Sequence, residues 1–132
     1  MNLCLATVPG TGTRFFNELL SQYFPKTSFE DGGLTTLHVN DDLLERIEKV
    51  NPFIVTTWRP YEHIEKTLKN RDFSPMERLP KHWDAWKRLV IRFAPEVVTI
   101  EKDFLGIPRE DCLERLGEKL GVDLETDWVP VR

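Results

Sequence analysis

Short apolar runs alternate along this chain with segments whose apolar residues recur every three or four positions. Residues 3–8 form a continuous run that meets Pro9-Gly10-Thr11-Gly12 at once, the pattern of a buried strand ending in a tight loop. Phe16, Leu19, Leu20 and Tyr23 then fall at i, i+3, i+4 and i+7, which predicts a helix from Thr13 that stops before Pro25. After Asp31-Gly32-Gly33, residues 34–39 suit a second strand. Asn40 or Asp41 can cap a helix carrying Leu43, Leu44, Ile47 and Val50, which Asn51-Pro52 ends. Residues 53–58, rich in β-branched side chains, predict a third strand, and Arg59-Pro60 leads into a helix with Ile64 and Leu68 on one side. The stretch 72–81 holds Pro75 and Pro80 among charged residues and reads as an irregular loop, a candidate lid over the site edge. Trp83, Trp86, Val90 and Phe93 recur at helical spacing before Pro95, and residues 97–101 read as a fourth strand. A last helix opens near Pro108, presents Leu113, Leu116 and Leu120, and ends at Gly121 with Lys119 in its final turn.

Strands alternating with helices imply right-handed crossovers and a parallel sheet covered on both faces, with the functional edge at the strands' C-terminal ends. The expected architecture is a three-layer α/β/α domain with about four parallel strands, here given the order 2-3-1-4. A length of 132 residues suits one domain, 1–132, and 40% hydrophobic content can fill one core. Twenty-two acidic against 18 basic residues give a net charge of -4, which argues against a surface that coats nucleic acid while leaving room for local anion sites. Cys4 and Cys112 lie far apart without ligand spacing, so neither a disulfide framework nor a zinc site is indicated, and both are expected as buried thiols. The run 3–8 is too short for a signal core or a membrane span and no basic leader precedes it, so a cytoplasmic protein is expected, with no membrane partner.

The segment Val8-Pro9-Gly10-Thr11-Gly12-Thr13-Arg14 lies between a strand and a helix. Glycines there let backbone N–H groups approach an anion, and the helix dipole favours negative charge. The G-x-x-x-x-G-K-[ST] ending of an ATPase or kinase loop is absent, so a small P-loop kinase would lack its lysine. The alternative is a Gly/Thr turn that only starts a helix.

Pro9-Gly10-Thr11-Gly12-Thr13-Arg14-Phe15 is similar to the sulfotransferase 5′-phosphosulfate loop P-K-S-G-T-T-W, and Gly12-Thr13-Arg14 matches the G-G-T-R version of the heparan-type enzymes. The resemblance implies a P-loop nucleotide-binding fold and 3′-phosphoadenosine 5′-phosphosulfate as donor. Thr13 would bond the 5′-phosphate with the loop amides, and Phe15 would stand where a tryptophan stacks on adenine. Residues 53–60, with Thr67 eight positions after Arg59, resemble the family's second signature. An arginine at a strand end presents a rigid fork of donors, and a threonine two turns into the next helix can reach the same anion, here the 3′-phosphate. Leu34-Thr35-Thr36-Leu37-His38-Val39 looks like the family strand that ends T-H-L-P, which places His38 as the general base. Residues 98–104 and the helix ending at 116–122 are similar to the family's Y-E-D-L … F-L-G close.

The lysine that follows the loop proline in that family is Gly10 here, and Arg14 or Lys102 is the cation expected to reach the leaving phosphate instead. The chain is about half the family's usual length, which implies an acceptor pocket that is shallow or shared between the subunits of a homodimer. His63 and His82 are expected to be solvated, as are Glu45, Glu48, Glu62 and Glu65, while Trp83 and Trp86 read as core. The expected activity is sulfuryl transfer to a hydroxyl or amine. The alternatives are an inactive nucleotide-binding module of the same fold and, behind it, the small kinase.

Overall fold

Each strand's burial tells its place in the sheet. A computed structural model describes residues 1–71, 76–103 and 105–124. Strand β1 (Leu3–Thr7) is buried at all five positions and β3 (Phe53–Thr57) at four of five, and these two occupy the interior of a four-stranded parallel sheet. Strand β2 (Leu34–His38) and the three-residue β4 (Glu96–Val98) form its edges.

The order is β2-β1-β3-β4, so the expected order 2-3-1-4 is corrected: β1, not β3, lies against β2. The chain returns from β1 to β2 through α1 (Thr13–Ser21), and backbone hydrogen bonds at the end of that connection fix where β2 starts. Leu34 N–H donates to Pro25 O at 2.8 Å and Leu3 N–H donates to Gly33 O at 3.0 Å, which pins the start of β2 beside the start of β1. Pairing then runs from Leu3 opposite Leu34 to Thr7 opposite His38. The free edge of β1 is taken by β3, with Leu3 opposite Phe53 and Ala6 opposite Thr56.

Side chains alternate across a strand, and the two faces of β1 are covered by different helices. Leu3 and Leu5, with Val55, pack under α1 and α5 (Arg109–Leu120). Cys4 and Ala6, with Ile54, pack under α2 (Asp41–Val50) and α4 (Arg78–Phe93). Helix α3 (Tyr61–Asn70) joins a third cluster in which Ile64 and Leu68 meet Val8 and Leu79. The result is a three-layer α/β/α arrangement. Because β1 passes the chain to one face and β3 to the other, the topological switch point of the sheet lies between their C-terminal ends, the usual place for a ligand in such sheets.

Helix ends follow the expected chemistry. The Asn40 side chain caps α2 by accepting from Leu43 N–H at 2.8 Å, and Gly121 closes α5 at φ 74°. Two boundaries are corrected. The fourth strand ends at Val98 rather than 101, because the Thr99 hydroxyl accepts from Glu101 N–H at 3.1 Å and turns the chain. Helix α4 begins at Arg78, so the latter part of the expected loop 72–81 is helical. Pro80 is tolerated in its first turn, where a missing N–H leaves no hydrogen bond unmade. Residues 72–75 of the expected lid, Phe104 and the tail 125–132 lie outside the described residues. Both cysteines are buried and free. No helix among the described residues is long and apolar enough to cross a membrane.

Candidate functional site

The loop after β1 bends through two left-handed glycines, Gly10 at φ 82° and Gly12 at φ 93°. A Cβ on Gly12 would stand 2.5 Å from Ile100 Cγ2, and one on Gly10 would crowd Ile64 and Leu68 at 3.3 Å. Gly12 is therefore required by packing as well as by conformation, while Gly10 is favoured by its conformation and sits in close contact. Thr11 is buried, and its hydroxyl donates to Val8 O at 2.6 Å and pairs with the Thr57 hydroxyl. Pro9 is buried with it. The Thr13 hydroxyl donates to Thr7 Oγ1 at 2.9 Å. Of the residues expected to meet a 5′-phosphate, Thr11 and Thr13 thus have their hydroxyl donors committed within the protein. The loop's remaining donors are amides. Gly12 caps α1 with no side-chain hydrogen bond, so no side chain competes for the Thr13 N–H at the helix start.

Arg59 leaves the end of β3 toward this loop. Its Nη1 donates to Gly10 O at 2.9 Å and to Thr67 Oγ1 at 3.0 Å. The eight-residue spacing between Arg59 and Thr67 brings the two side chains together, and the guanidinium joins them to the glycine loop. Its Nη2 pairs with Glu101 Oε1 at 2.7 Å, where the two side chains are 13% and 33% exposed. The buried Nε has no hydrogen-bond partner among the described residues. An orphaned donor of this kind is costly in a dry site and suits an anionic oxygen. Glu101 is the residue that the sequence reading missed. It was placed in the fourth strand, whereas the Thr99 turn swings it back onto Arg59, and only the hydroxyl two positions earlier hints at that turn.

Phe15 is 4% exposed and packs edge-on against Phe16 in the core under α1 and α5. Its expected place against adenine is corrected: the position falls on the sheet-facing side of α1, where burial of the ring outweighs any role at the rim. Arg14, one position earlier, is exposed and has no ion pair among the described residues; Lys102 is exposed as well.

His38 ends β2 directly beside Thr7, half-buried. Burial, and then the neighbouring His82, push its pKa below the usual histidine value, so the neutral ring is favoured. The two imidazoles meet edge to face with centroids 5.5 Å apart. His82 was expected to be solvated, and this too is corrected. It is half-buried because α4 starts early enough to carry it against the sheet, where its Nδ1 lies 2.8 Å from Val39 O. The Val39 N–H in turn donates to Thr7 O at 2.8 Å. His63 is exposed on α3. Trp83 and Trp86 stack at 5.2 Å, and Trp86 Nε1–H donates to Thr56 Oγ1 at 2.8 Å, tying α4 to β3 in keeping with their reading as core.

A cavity of about 730 Å³ opens next to the histidine pair, between Val39 and Asn40 on one side and Pro80, His82 and Ala85 of α4 on the other. Among the described residues no group of three or more His, Cys, Asp or Glu side chains gathers as metal ligands.

No family model, curated protein or solved structure matches this chain. The residues themselves set what this switch point can hold. The amide at the Gly12-Thr13 turn and the spare Arg59 Nε suit an anionic oxygen, and Arg14 adds exposed positive charge at the same helix end. Glu101 holds part of the guanidinium's capacity, so an anion must compete with it.

Proposed function

We propose that the switch point between β1 and β3 binds 3′-phosphoadenosine 5′-phosphosulfate and that the domain transfers its sulfuryl group to a hydroxyl or amine acceptor. The observation that carries this reading is Arg59, whose guanidinium bridges the Gly10 carbonyl and Thr67 while its Nε is left unpartnered. Arg59 and Thr67 hold the 3′-phosphate. The amides of the Gly12-Thr13 turn hold the 5′-phosphate, and Arg14 faces the charge that develops on that phosphate. A histidine serves as base, and the resemblance points to the one at the end of β2, His38, kept neutral beside Thr7. When bound, the donor supplies an activated sulfur–oxygen bond. The chain's part is positioning and electrostatic stabilisation.

A second reading, a nucleotide-binding module without turnover, is favoured by two observations. Gly10 stands where the resemblance would place a lysine, and Glu101 already pairs with Arg59. Calorimetry with adenosine 3′,5′-bisphosphate, 5′-AMP and ATP tests the proposal together with a labelled-sulfate transfer assay. We expect the bisphosphate to bind at least about tenfold tighter than 5′-AMP, the worth of one charge-assisted hydrogen bond. Arg59→Ala should remove that preference, and Arg14→Ala should slow transfer. Bisphosphate binding with no transfer to any acceptor would select the module, and a preference for ATP with Mg²⁺ would overturn both readings in favour of a kinase.

A further inference from the structure

The cavity beside His82 is lined by no residue of the glycine loop, yet one residue, Val39, joins it to the strand that leads into that loop. Val39 donates its N–H to Thr7 O at the end of β1 and offers its carbonyl to His82 Nδ1, each at 2.8 Å. A carbonyl oxygen can only accept, so Nδ1 carries the ring proton. In the neutral imidazole Nε2 is then the lone-pair atom. A backbone acceptor that fixes a histidine's tautomer in this way prepares the opposite nitrogen to take a proton. His38 lacks this arrangement. Its ring makes no hydrogen bond among the described residues and it does not line the cavity, whereas His82 does.

The cavity's volume of about 730 Å³ falls among small-molecule sites, commonly about 300–1,000 Å³. Its wall carries three cations, Arg78, Lys81 and Arg88, against two carboxylates, Asp41 and Asp84. Arg88 is occupied by both carboxylates, at 2.8 Å from Asp41 and 3.4 Å from Asp84. Arg78 and Lys81, one turn apart on α4, have no ion pair among the described residues. The unbalanced charge is therefore positive, and it rests on two exposed side chains.

We propose that this cavity is the acceptor site, that it takes a hydroxyl compound bearing an anionic group, and that His82 is the base that receives the hydroxyl proton. The proposal rests on the sulfuryl-transfer reading above. Arg78 and Lys81 bind the anionic group, and His82 Nε2 takes the proton of the hydroxyl. The acceptor oxygen–sulfur bond forms as the sulfur–oxygen bond to the 5′-phosphate breaks, and that bond's electron pair leaves with the phosphate oxygen of the bisphosphate. The imidazolium then returns its proton to solvent. His38 becomes a positioning residue, its neutral ring fixing the edge of His82 without adding a second charge.

The test uses 4-hydroxybenzoate and phenol, which share a hydroxyl and differ in the carboxylate. In the nucleotide-free full chain, imidazole ¹⁵N spectra should show His82 as the Nδ1–H tautomer. Titration with 4-hydroxybenzoate should shift the His82 ring signals with at least about tenfold higher affinity than phenol, and Arg78→Glu with Lys81→Glu should erase the difference. In the transfer assay, His82→Gln should lower turnover about 100-fold or more, the usual worth of a general base, with bisphosphate affinity unchanged. His38→Gln should cost less than His82→Gln. Equal response to the two phenols, or a silent His82 ring, overturns the acceptor site. Wild-type turnover in His82→Gln, or a larger loss in His38→Gln, overturns the base. A wild-type chain that shifts His82 with 4-hydroxybenzoate but ignores the bisphosphate overturns the donor reading and the base with it, and supports the cavity as a site for anionic ligands.

Discussion

Glu101→Gln separates a ligand-binding Arg59 from a merely structural one. Glu101 Oε1 lies 2.7 Å from Arg59 Nη2, and its side chain is 33% exposed. That exposure screens the pair, so losing it costs the fold about 0.5–1.5 kcal/mol, well below the ~3–5 kcal/mol of a fully buried pair. Arg59 keeps its bonds to Gly10 O and Thr67 Oγ1 in the variant, which holds the guanidinium at the loop. A neutral amide competes with a phosphate far less than a carboxylate does. One charge-assisted hydrogen bond, worth about 1.5–3 kcal/mol, then passes to the ligand. The expected outcome is an adenosine 3′,5′-bisphosphate Kd tightened by about 10- to 150-fold, with 5′-AMP affinity unchanged. Calorimetry reads both constants, and a urea titration confirms that the variant is folded. A folded Glu101→Gln chain whose bisphosphate Kd is unchanged or weaker would refute the reasoning, because the freed guanidinium would then have found no phosphate.

Three further outcomes follow from local geometry. Gly12→Ala places a side chain at φ 93° and a Cβ 2.5 Å from Ile100 Cγ2, so we expect a loss of about 2–4 kcal/mol in urea unfolding, against about 1 kcal/mol for Gly121→Ala, whose Cβ meets open space; equal losses would remove Ile100 from the account. His38 has a folded-state pKa below its unfolded value, so the unfolded chain binds more protons and stability falls as the pH drops below about 6.5. The wild-type urea midpoint should therefore drop more than that of His38→Gln between about pH 7.5 and pH 5.5, and parallel curves would contradict the burial of this ring. Burial pushes the Cys4 thiol up to about 12, so it should stay unreactive toward a disulfide reagent at about pH 8 in the folded chain and react only on unfolding.

How far the sequence reaches depends on whether a feature is local. Strands β1, β2 and β3, the start of α2 and the end of α5 were legible within a residue or two, because apolar runs, Asn40 and Gly121 act through their own neighbours, whereas α1 ends at Ser21, before the Tyr23 expected on its face. The approach of Arg59 to Thr67 was legible for the same reason: a strand end and a helix two turns on are tied by their spacing. What was not legible depends on contacts distant in sequence. Strand order was decided by Leu34 N–H on Pro25 O and Leu3 N–H on Gly33 O, bonds that no periodicity announces. Phe15 carries the aromatic character a nucleotide stacker needs, and only the angular position of residue 15 on α1 sends it to the core. Glu101 and His82 were missed because a hydroxyl turn and an early helix start redirect them by a few residues, enough to move one onto a guanidinium and the other onto a carbonyl. Charge and tautomer in this site are thus set by residues outside the loop motif, so substitutions at Glu101 and His82 should change ligand preference and turnover more selectively than substitutions at the glycines, which first change the fold.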